Sequence, residues 1–200
     1  MNQTEIAATL LSFVYVLALT HILQCFRDLW IDRERVKIAA SQLMWMVSLM
    51  LLGIETWFPA ATADVGEITG WRLGARLLFS MGIYFACAFV SPPVPEEGVV
   101  DLQTYENRNG IGYKLTFLFL GAVAVPLNYD NHSHGGTIRS DLTAFMLTQW
   151  FLAVTTLATG LSIWRHEPRI RTVCAAIVLG VHLLGLPASL GIGWAPSWRA

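Results

Sequence analysis

The hydrophobic positions of this chain are gathered in long stretches with few charged residues, and such stretches recur six times. A helix needs about 20 mostly apolar residues to cross the hydrocarbon layer, because each residue rises about 1.5 Å and the layer is about 30 Å thick. The pattern therefore predicts an all-α bundle of six transmembrane helices, forming one integral membrane domain over residues 1–200. The predicted spans are residues 6–26, 38–58, 73–91, 112–128, 142–164 and 172–194.

The first and fourth spans need a separate argument. The N-terminal Met-Asn-Gln-Thr-Glu lacks the positive region of a secretory signal, so we predict that the first apolar run is a retained helix. The fourth run is shorter than the others and contains Pro126. It reaches spanning length only if Gly112, Tyr113 and Lys114 extend it, with the lysine amine reaching back to the headgroups.

The composition agrees with a membrane protein. Hydrophobic residues make up 54% of the 200 positions and charged residues only 14%, against roughly 25% charged residues in soluble domains. The formal net charge of -1 gives no basis for nucleic-acid binding or for a polybasic lipid-binding surface. The predicted surrounding is the lipid bilayer, and six helices leave no room for a separate soluble domain.

Lysine and arginine concentrate in the segments that follow the first, third and fifth predicted helices. The positive-inside rule places such segments in the cytoplasm, so we predict both termini in the periplasm of a bacterial inner membrane. The residues concerned are Arg27, Arg33, Arg35, Lys37, Arg108, Lys114, Arg165, Arg169 and Arg171.

The long segment at residues 91–112 divides the predicted helices into three and three. Because three is odd, two such halves would be inverted relative to one another, which is common in transporters. This 3+3 hypothesis rests on the count alone, since Pro126 and Pro187 have no counterparts in the first half.

Several short motifs point to one group of proteins. They are Leu19-Thr20-His21-Ile22-Leu23, the basic segment after it, Trp45 and Trp57, and the later Asp101-Leu102-Gln103-Thr104-Tyr105-Glu106-Asn107-Arg108. In these motifs, over roughly the first 115 residues, the chain resembles a group of uncharacterised small bacterial inner-membrane proteins. The resemblance implies a bacterial polytopic protein and transfers no activity, cofactor or site residue.

Four ionisable residues lie within predicted spans, where a charge costs about 2.5 to 3.5 kcal/mol at the helix centre. They are Glu55, Arg76, His182 and His21. Glu55 and Arg76 each lie about one turn inside the outer end of consecutive helices, so we expect them at similar depth. They would form a gate or a solute-binding pair at the outer mouth, a structural ion pair, or two side chains that extend separately to the interface.

His182 is predicted near the membrane midplane, about 15 Å from the inner end of the sixth span. Its imidazole titrates near neutral pH, which suits a proton relay or a pH sensor. Alternatively, it donates a hydrogen bond that fixes helix packing.

Two groups of residues carry weaker metal-binding patterns. His21 shares a helix face with Cys25 and Asp28, and Asp130, His132 and His134 gather in a segment rich in Gly and Asn. Neither group supplies a complete ligand set, and the depths of His21 and His182 do not match for a shared haem. We therefore predict no metal, no cofactor and no catalytic residue, since the usual phosphate, nucleophile and metalloprotease motifs are missing from the sequence.

Two functions stay open at this point. A transporter or channel for a small solute, ion or proton would require a water-accessible cavity that reaches His182. A non-transporting subunit or sensor that binds partner proteins, or a second copy, in the bilayer would have a dry bundle.

Overall fold

A computed structural model describes residues 3–62, 70–94, 98–134 and 142–189, and it confirms the all-α prediction. Within these residues the chain forms six helices and almost no sheet. The helices are α1 (Gln3–Ile31), α2 (Ala40–Thr62), α3 (Gly70–Val90), α4 (Leu102–His134), α5 (Leu142–Trp164) and α6 (Pro168–Ser189).

Five of the helices are long and apolar enough to cross a membrane, which supports a multi-pass membrane protein. The apolar stretches are Thr9–Ile31, Gly70–Val90, Leu102–Leu127, Phe145–Trp164 and Pro168–Pro187. Over the described residues α2 is not among them, although it has 23 residues. Its polar side chains Gln42, Ser48 and Glu55 lower its apolarity, and they face protein rather than lipid.

Helix α4 begins ten residues earlier than the predicted fourth span and continues through Pro126. Its start is fixed by Asp101, whose Oδ1 accepts a hydrogen bond of 3.0 Å from the backbone N–H of Thr104. An aspartate in this position satisfies one of the free N–H groups of the first helical turn. This bond holds the pKa of Asp101 below its ordinary value.

The core of the bundle is built around α2. The most extensive helix contacts are those of α2 with α6 and of α3 with α4, followed by those of α1 with α3. Trp45, Met46 and Leu49 of α2 are completely buried. The largest contacts join the first three helices to the last three, which is compatible with either arrangement of the halves, so the inverted 3+3 arrangement stays a prediction.

The loops that precede α2, α4 and α6 lie at one end of the bundle, which we name the basic end. A two-residue strand, β1 (Val36–Lys37), pairs in parallel with β2 (Val100–Asp101) and joins the first two loops. Arg35 also donates a hydrogen bond to the carbonyl of Gly98, whose φ of 98° lies in the left-handed region that glycine adopts readily. The sequence analysis predicts neither strand.

Candidate functional site

Glu55 of α2 and His182 of α6 meet where these two helices pack together. Nδ1 of His182 lies 2.8 Å from Oε2 of Glu55, which is hydrogen-bond distance. The side chains are 14% exposed for Glu55 and 8% for His182, so neither group is solvated as a surface residue would be. We call them the Glu55–His182 pair.

The pair lies in the half of the bundle away from the basic end. At 1.5 Å per residue, Glu55 is about 22 Å along α2 from Ala40 and His182 is about 21 Å along α6 from Pro168. Both helices begin at the basic end, so the two side chains reach the same level. His182 is farther from that end than the sequence analysis expected, because α6 begins at Pro168 instead of Thr172.

The neighbours of the pair leave room for the carboxylate and enclose the imidazole. A Cβ placed on Gly185 would lie 3.2 Å from Oε1 of Glu55, so the glycine provides the space that this oxygen occupies. The ring of Phe117 packs edge-on against His182, with 5.9 Å between ring centroids. The site is therefore formed by α2, α4 and α6 together.

Each member of the pair keeps one buried polar atom without a hydrogen-bond partner among the described residues, namely Oε1 of Glu55 and Nε2 of His182. The donor in this bond depends on the protonation states: an ionised Glu55 carboxylate only accepts, and Nδ1–H of His182 is then the donor. In the neutral ring this leaves a lone pair on Nε2. The pair can therefore take up a proton at Nε2, and the carboxylate stabilises the imidazolium that results.

Arg76 is not the partner of Glu55. Within the part of the chain that the structure describes, no ion pair joins them, and Glu55 instead meets His182. The expected pairing assumed that consecutive helices are the closest neighbours. Helix α2 instead makes its largest contact with α6, and α3 packs mainly against α4 and α1.

The remaining residues singled out from the sequence are not gathered into this site. His21 is exposed on α1, while Cys25 is buried and its thiol donates to the carbonyl of Pro92. Among the described residues no three His, Cys, Asp or Glu side chains come together to hold a metal ion. The side chains of Asp130, His132 and His134 lie outside the described part of the chain, although the α4 backbone extends to His134.

A second buried group of polar residues lies between α2 and α4 near the basic end. We name it the inner polar cluster, and it consists of Ser41, Gln42, Glu106, Tyr113 and Lys114. Nζ of Lys114 lies 2.9 Å from Oε1 of Glu106, and the Ser41 hydroxyl donates to Oε2 of the same carboxylate. The side chains of Lys114 and Glu106 are only 3% and 0% exposed, so this is a fully buried ion pair.

Gln42 connects the inner polar cluster to the end of α3. Its amide nitrogen donates to the carbonyl of Val90, and its amide oxygen accepts a bond of 3.1 Å from the Tyr113 hydroxyl. Tyr105 donates to the nearby carbonyls of Phe89 and Ser91. Helix ends leave carbonyls without intrahelical partners, and these side chains supply partners for the last carbonyls of α3.

Aromatic rings separate the inner polar cluster from the Glu55–His182 pair. The Trp45 ring lies 5.7 Å from that of Tyr113 and 5.6 Å from that of Phe117, and Phe117 in turn contacts His182. Nζ of Lys114 lies 5.8 Å from the Trp45 ring, within cation–π distance. Two buried ionisable sites thus lie on opposite sides of Trp45 and Phe117.

The inner polar cluster was not predicted from the sequence, where Glu106 falls in an expected loop and Lys114 was expected to reach for the headgroups. The available signal was the four-residue spacing of Glu106, Gly110 and Lys114, which places all three on one helix face. Gly110 leaves space there, because its Cβ would lie 3.2 Å from Cγ of Glu106 and 3.6 Å from Nζ of Lys114.

Comparisons with known proteins add no assignment. No family model matches the chain, and no match appears among the curated proteins or the solved structures. The functional argument therefore depends on the chemistry of these buried sites.

Proposed function

We propose that this protein is a multi-pass transporter of the bacterial inner membrane that couples movement of a small solute to protons. The observation that carries the proposal is the Glu55–His182 pair, whose Nε2 and Oε1 are buried without hydrogen-bond partners in the described parts of the chain. A histidine used only for packing gains most when its polar atoms are satisfied, since each unsatisfied buried group costs about 1–3 kcal/mol. The free-energy cost of leaving Nε2 and Oε1 without partners is explained if these atoms must be available to bind and release a proton.

The proton step uses only groups of the pair. Nε2 of neutral His182 accepts a proton, and the ring becomes an imidazolium that still donates from Nδ1 to Oε2 of Glu55. Release of the same proton from Nε2 restores the neutral ring. No other reactant is required. The negative charge of the Glu55 carboxylate lowers the free-energy cost of a charged imidazole in low-dielectric surroundings.

The position of the aromatic rings favours a carrier over an open channel. Trp45 and Phe117 lie between the Glu55–His182 pair and the inner polar cluster. A continuous water path would let protons pass without the solute, whereas a packed aromatic layer requires a conformational change between the two sides. In this structure Nε2 of His182 and Oε1 of Glu55 are buried, so the conformation described does not expose His182 to water as a transporter requires. The proposal therefore requires a second conformation in which a water-accessible cavity reaches His182. We propose further that α2 also crosses the membrane, which brings the number of spans to six. Its polar side chains are covered by neighbouring helices and therefore do not face lipid.

The orientation belongs to the same proposal. The loops at the basic end carry Arg33, Arg35 and Lys37, and α6 begins there with Arg169 and Arg171. The positive-inside rule then places the basic end in the cytoplasm and both termini in the periplasm. Under this orientation the Glu55–His182 pair is in the periplasmic half of the membrane.

The test measures proton movement into proteoliposomes that contain the full chain and an internal pH dye. With a potassium diffusion potential, wild-type vesicles should acidify faster than protein-free vesicles, through a slow uncoupled leak. Glu55→Gln and His182→Asn should each reduce that protein-dependent rate at least about tenfold, because no titrating pair remains. Glu34→Gln, at an exposed loop position, is the matched control and should leave the rate unchanged.

Equal rates in wild-type and protein-free vesicles, or full rates in both pair variants, would contradict the transport proposal. The alternative is then a non-transporting subunit or sensor in which the same pair fixes the contact of α2 with α6.

A further inference from the structure

Arg171 is a buried cation that lies at the opposite end of α6 from the Glu55–His182 pair and has no role in that pair. It is the fourth residue of α6, at the basic end, and it is only 8% exposed. Its Nη1 donates to Oδ1 of Asn107, and its Nη2 lies 3.0 Å from Nδ1 of His166. Both partners are uncharged acceptors in this arrangement, so the guanidinium is buried without a carboxylate partner among the described residues.

The nearby buried carboxylate is already occupied. Glu106 accepts from Lys114 with one oxygen and from Ser41 with the other. Counted with Arg171, the described residues of this region contain two buried cations and one buried anion. Taking an ion out of water is expensive unless an opposite charge compensates it, so one negative charge is missing.

The helix itself increases the positive potential. The N-terminal end of α6 carries the positive end of the helix dipole, and cations are unfavourable there whereas anions are stabilised. Arg169 adds a further exposed cation in the same turn. These features together favour an anion at the first turn of α6.

The free hydrogen-bond donors of Arg171 define the shape of that anion. Nε has no partner among the described groups, and it is buried. Nε–H and the neighbouring N–H of Nη2 point in the same direction on a guanidinium, and such a fork binds two oxygens of a phosphate or carboxylate. Here Nε is without a partner among the described residues, and Nη2 is held only by His166 on this side. His166 is exposed in the short connection before α6 and can be displaced by such a group.

We propose that Arg171 anchors a phosphate-binding site at the first turn of α6, where the phosphate displaces His166. The site is independent of the proton-linked transport proposal. Its depth, about 4.5 Å into α6, corresponds to the interfacial region, where Trp164 and Arg165 also stack with 5.1 Å between guanidinium and ring. The phosphate group comes either from an anionic lipid headgroup or from free phosphate.

The experiment uses the full chain and two sources of phosphate. One arm titrates the protein in detergent with inorganic phosphate, against sodium chloride of equal ionic strength, by calorimetry. The other arm reconstitutes the protein in nanodiscs of phosphatidylcholine with or without phosphatidylglycerol, and counts retained phosphatidylglycerol by native mass spectrometry.

Saturable binding in either arm supports the site, and the arm that responds identifies the source. Arg171→Gln should weaken binding at least about tenfold, because a charge-assisted fork is lost. Arg169→Gln, an exposed cation in the same turn, is the matched control and should change affinity less than about twofold.

Two further variants keep the test decisive if Arg171→Gln does not fold. Arg171→Lys keeps the charge and loses the fork, so binding should still weaken clearly. His166→Ala changes only an exposed side chain and removes the competing acceptor, so binding should strengthen. Absence of binding in both arms, equal loss in the Arg169 and Arg171 variants, or weaker binding in His166→Ala would overturn the proposal.

Discussion

The two buried polar sites on α2 differ in how completely their hydrogen bonds are satisfied. In the inner polar cluster, both oxygens of Glu106 have partners, and Lys114 has its counter-charge. In the Glu55–His182 pair, one oxygen and one ring nitrogen are buried, and no described residue forms a hydrogen bond with either. Both sites therefore contain buried ionisable groups. They differ in that only the Glu55–His182 pair, which we propose binds and releases protons, has polar atoms whose hydrogen bonds are incomplete.

The difference implies different responses to substitution. A fully satisfied buried ion pair holds two helix segments in one geometry, and removing either partner leaves the other charged and desolvated. The two sites share a carboxylate and differ in its partner. An imidazole is readily neutral near pH 7, whereas a lysine ordinarily holds its charge to about pH 10, so the loss of the carboxylate should be tolerated better beside His182 than beside Lys114.

The inner ion pair should give the largest loss of stability. Glu106→Gln leaves the Lys114 ammonium buried without a carboxylate, and breaking a buried pair costs about 3–5 kcal/mol. The free energy of unfolding in an SDS titration should fall by that amount. The double variant with Lys114→Gln should recover part of the loss, and Glu34→Gln should change stability by less than about 0.5 kcal/mol. A loss below about 1 kcal/mol in Glu106→Gln would show that the two sites do not differ.

His182 should give an intermediate effect that depends on the replacing residue. His182→Ala removes the bond to Glu55 and leaves buried acceptors unsatisfied, which costs about 1–3 kcal/mol. His182→Asn keeps an amide N–H near the position of Nδ1, so its loss should stay below about 1 kcal/mol. The same SDS titration measures both variants. If asparagine is as costly as alanine, the Nδ1–Oε2 bond contributes little and the pair is not organised as described.

The sequence identified the Glu55–His182 pair only as separate residues. An ionisable side chain in an apolar helix is visible without a structure, because its insertion cost is a property of the residue and its depth. Which residue it meets depends on contacts between helices far apart in the chain. Assuming contact between consecutive helices gave Glu55 the partner Arg76, whereas α2 and α6 are separated by three helices in the chain.

The helix boundaries and the inner polar cluster were missed for a related reason. Hydropathy averages over a window, so the polar residues at 103–109 resemble a loop even though α4 contains them. They are tolerated because Glu106 and Asn107 find partners on α2 and α6. Strands β1 and β2 have two residues each, which is too short to produce a periodic pattern.

Two glycines allow a direct comparison of the sites by one added methyl group. At Gly110 a Cβ would lie 3.2 Å from Cγ of Glu106 and 3.4 Å from Oη of Tyr113, in a network whose members are all fixed. Gly110→Ala should therefore cost about 1–2 kcal/mol. At Gly185 the methyl group would meet Oε1 of Glu55, which has no bond to lose, so the cost should stay below about 1 kcal/mol while proton movement falls.

Gly180→Ala is the control on α6, because a Cβ there has no heavy atom within 4 Å. It should stabilise the protein by about 0.5–1 kcal/mol through helix propensity and leave proton movement unchanged. Larger destabilisation at Gly185 than at Gly110 would contradict the view that the Glu55–His182 pair is the less rigid site.

The smallest effect is expected at Asp101, a half-buried acid at the basic end that serves as a reference for the two buried sites. The N–H of Thr104 lowers the pKa of Asp101, so the ionised form stabilises the start of α4. A group with a lowered pKa contributes stability above its unfolded pKa, near 3.8, and loses it as the pH falls through the folded value.

Asp101→Asn keeps the cap without a titrating group. Melting curves between pH 3 and pH 7 should therefore show a slightly shallower acid decline in Asp101→Asn than in wild type, whereas Asp101→Ala should be less stable than Asp101→Asn throughout. An acid decline identical in Asp101→Asn and wild type would show that ionisation of Asp101 does not stabilise the start of α4.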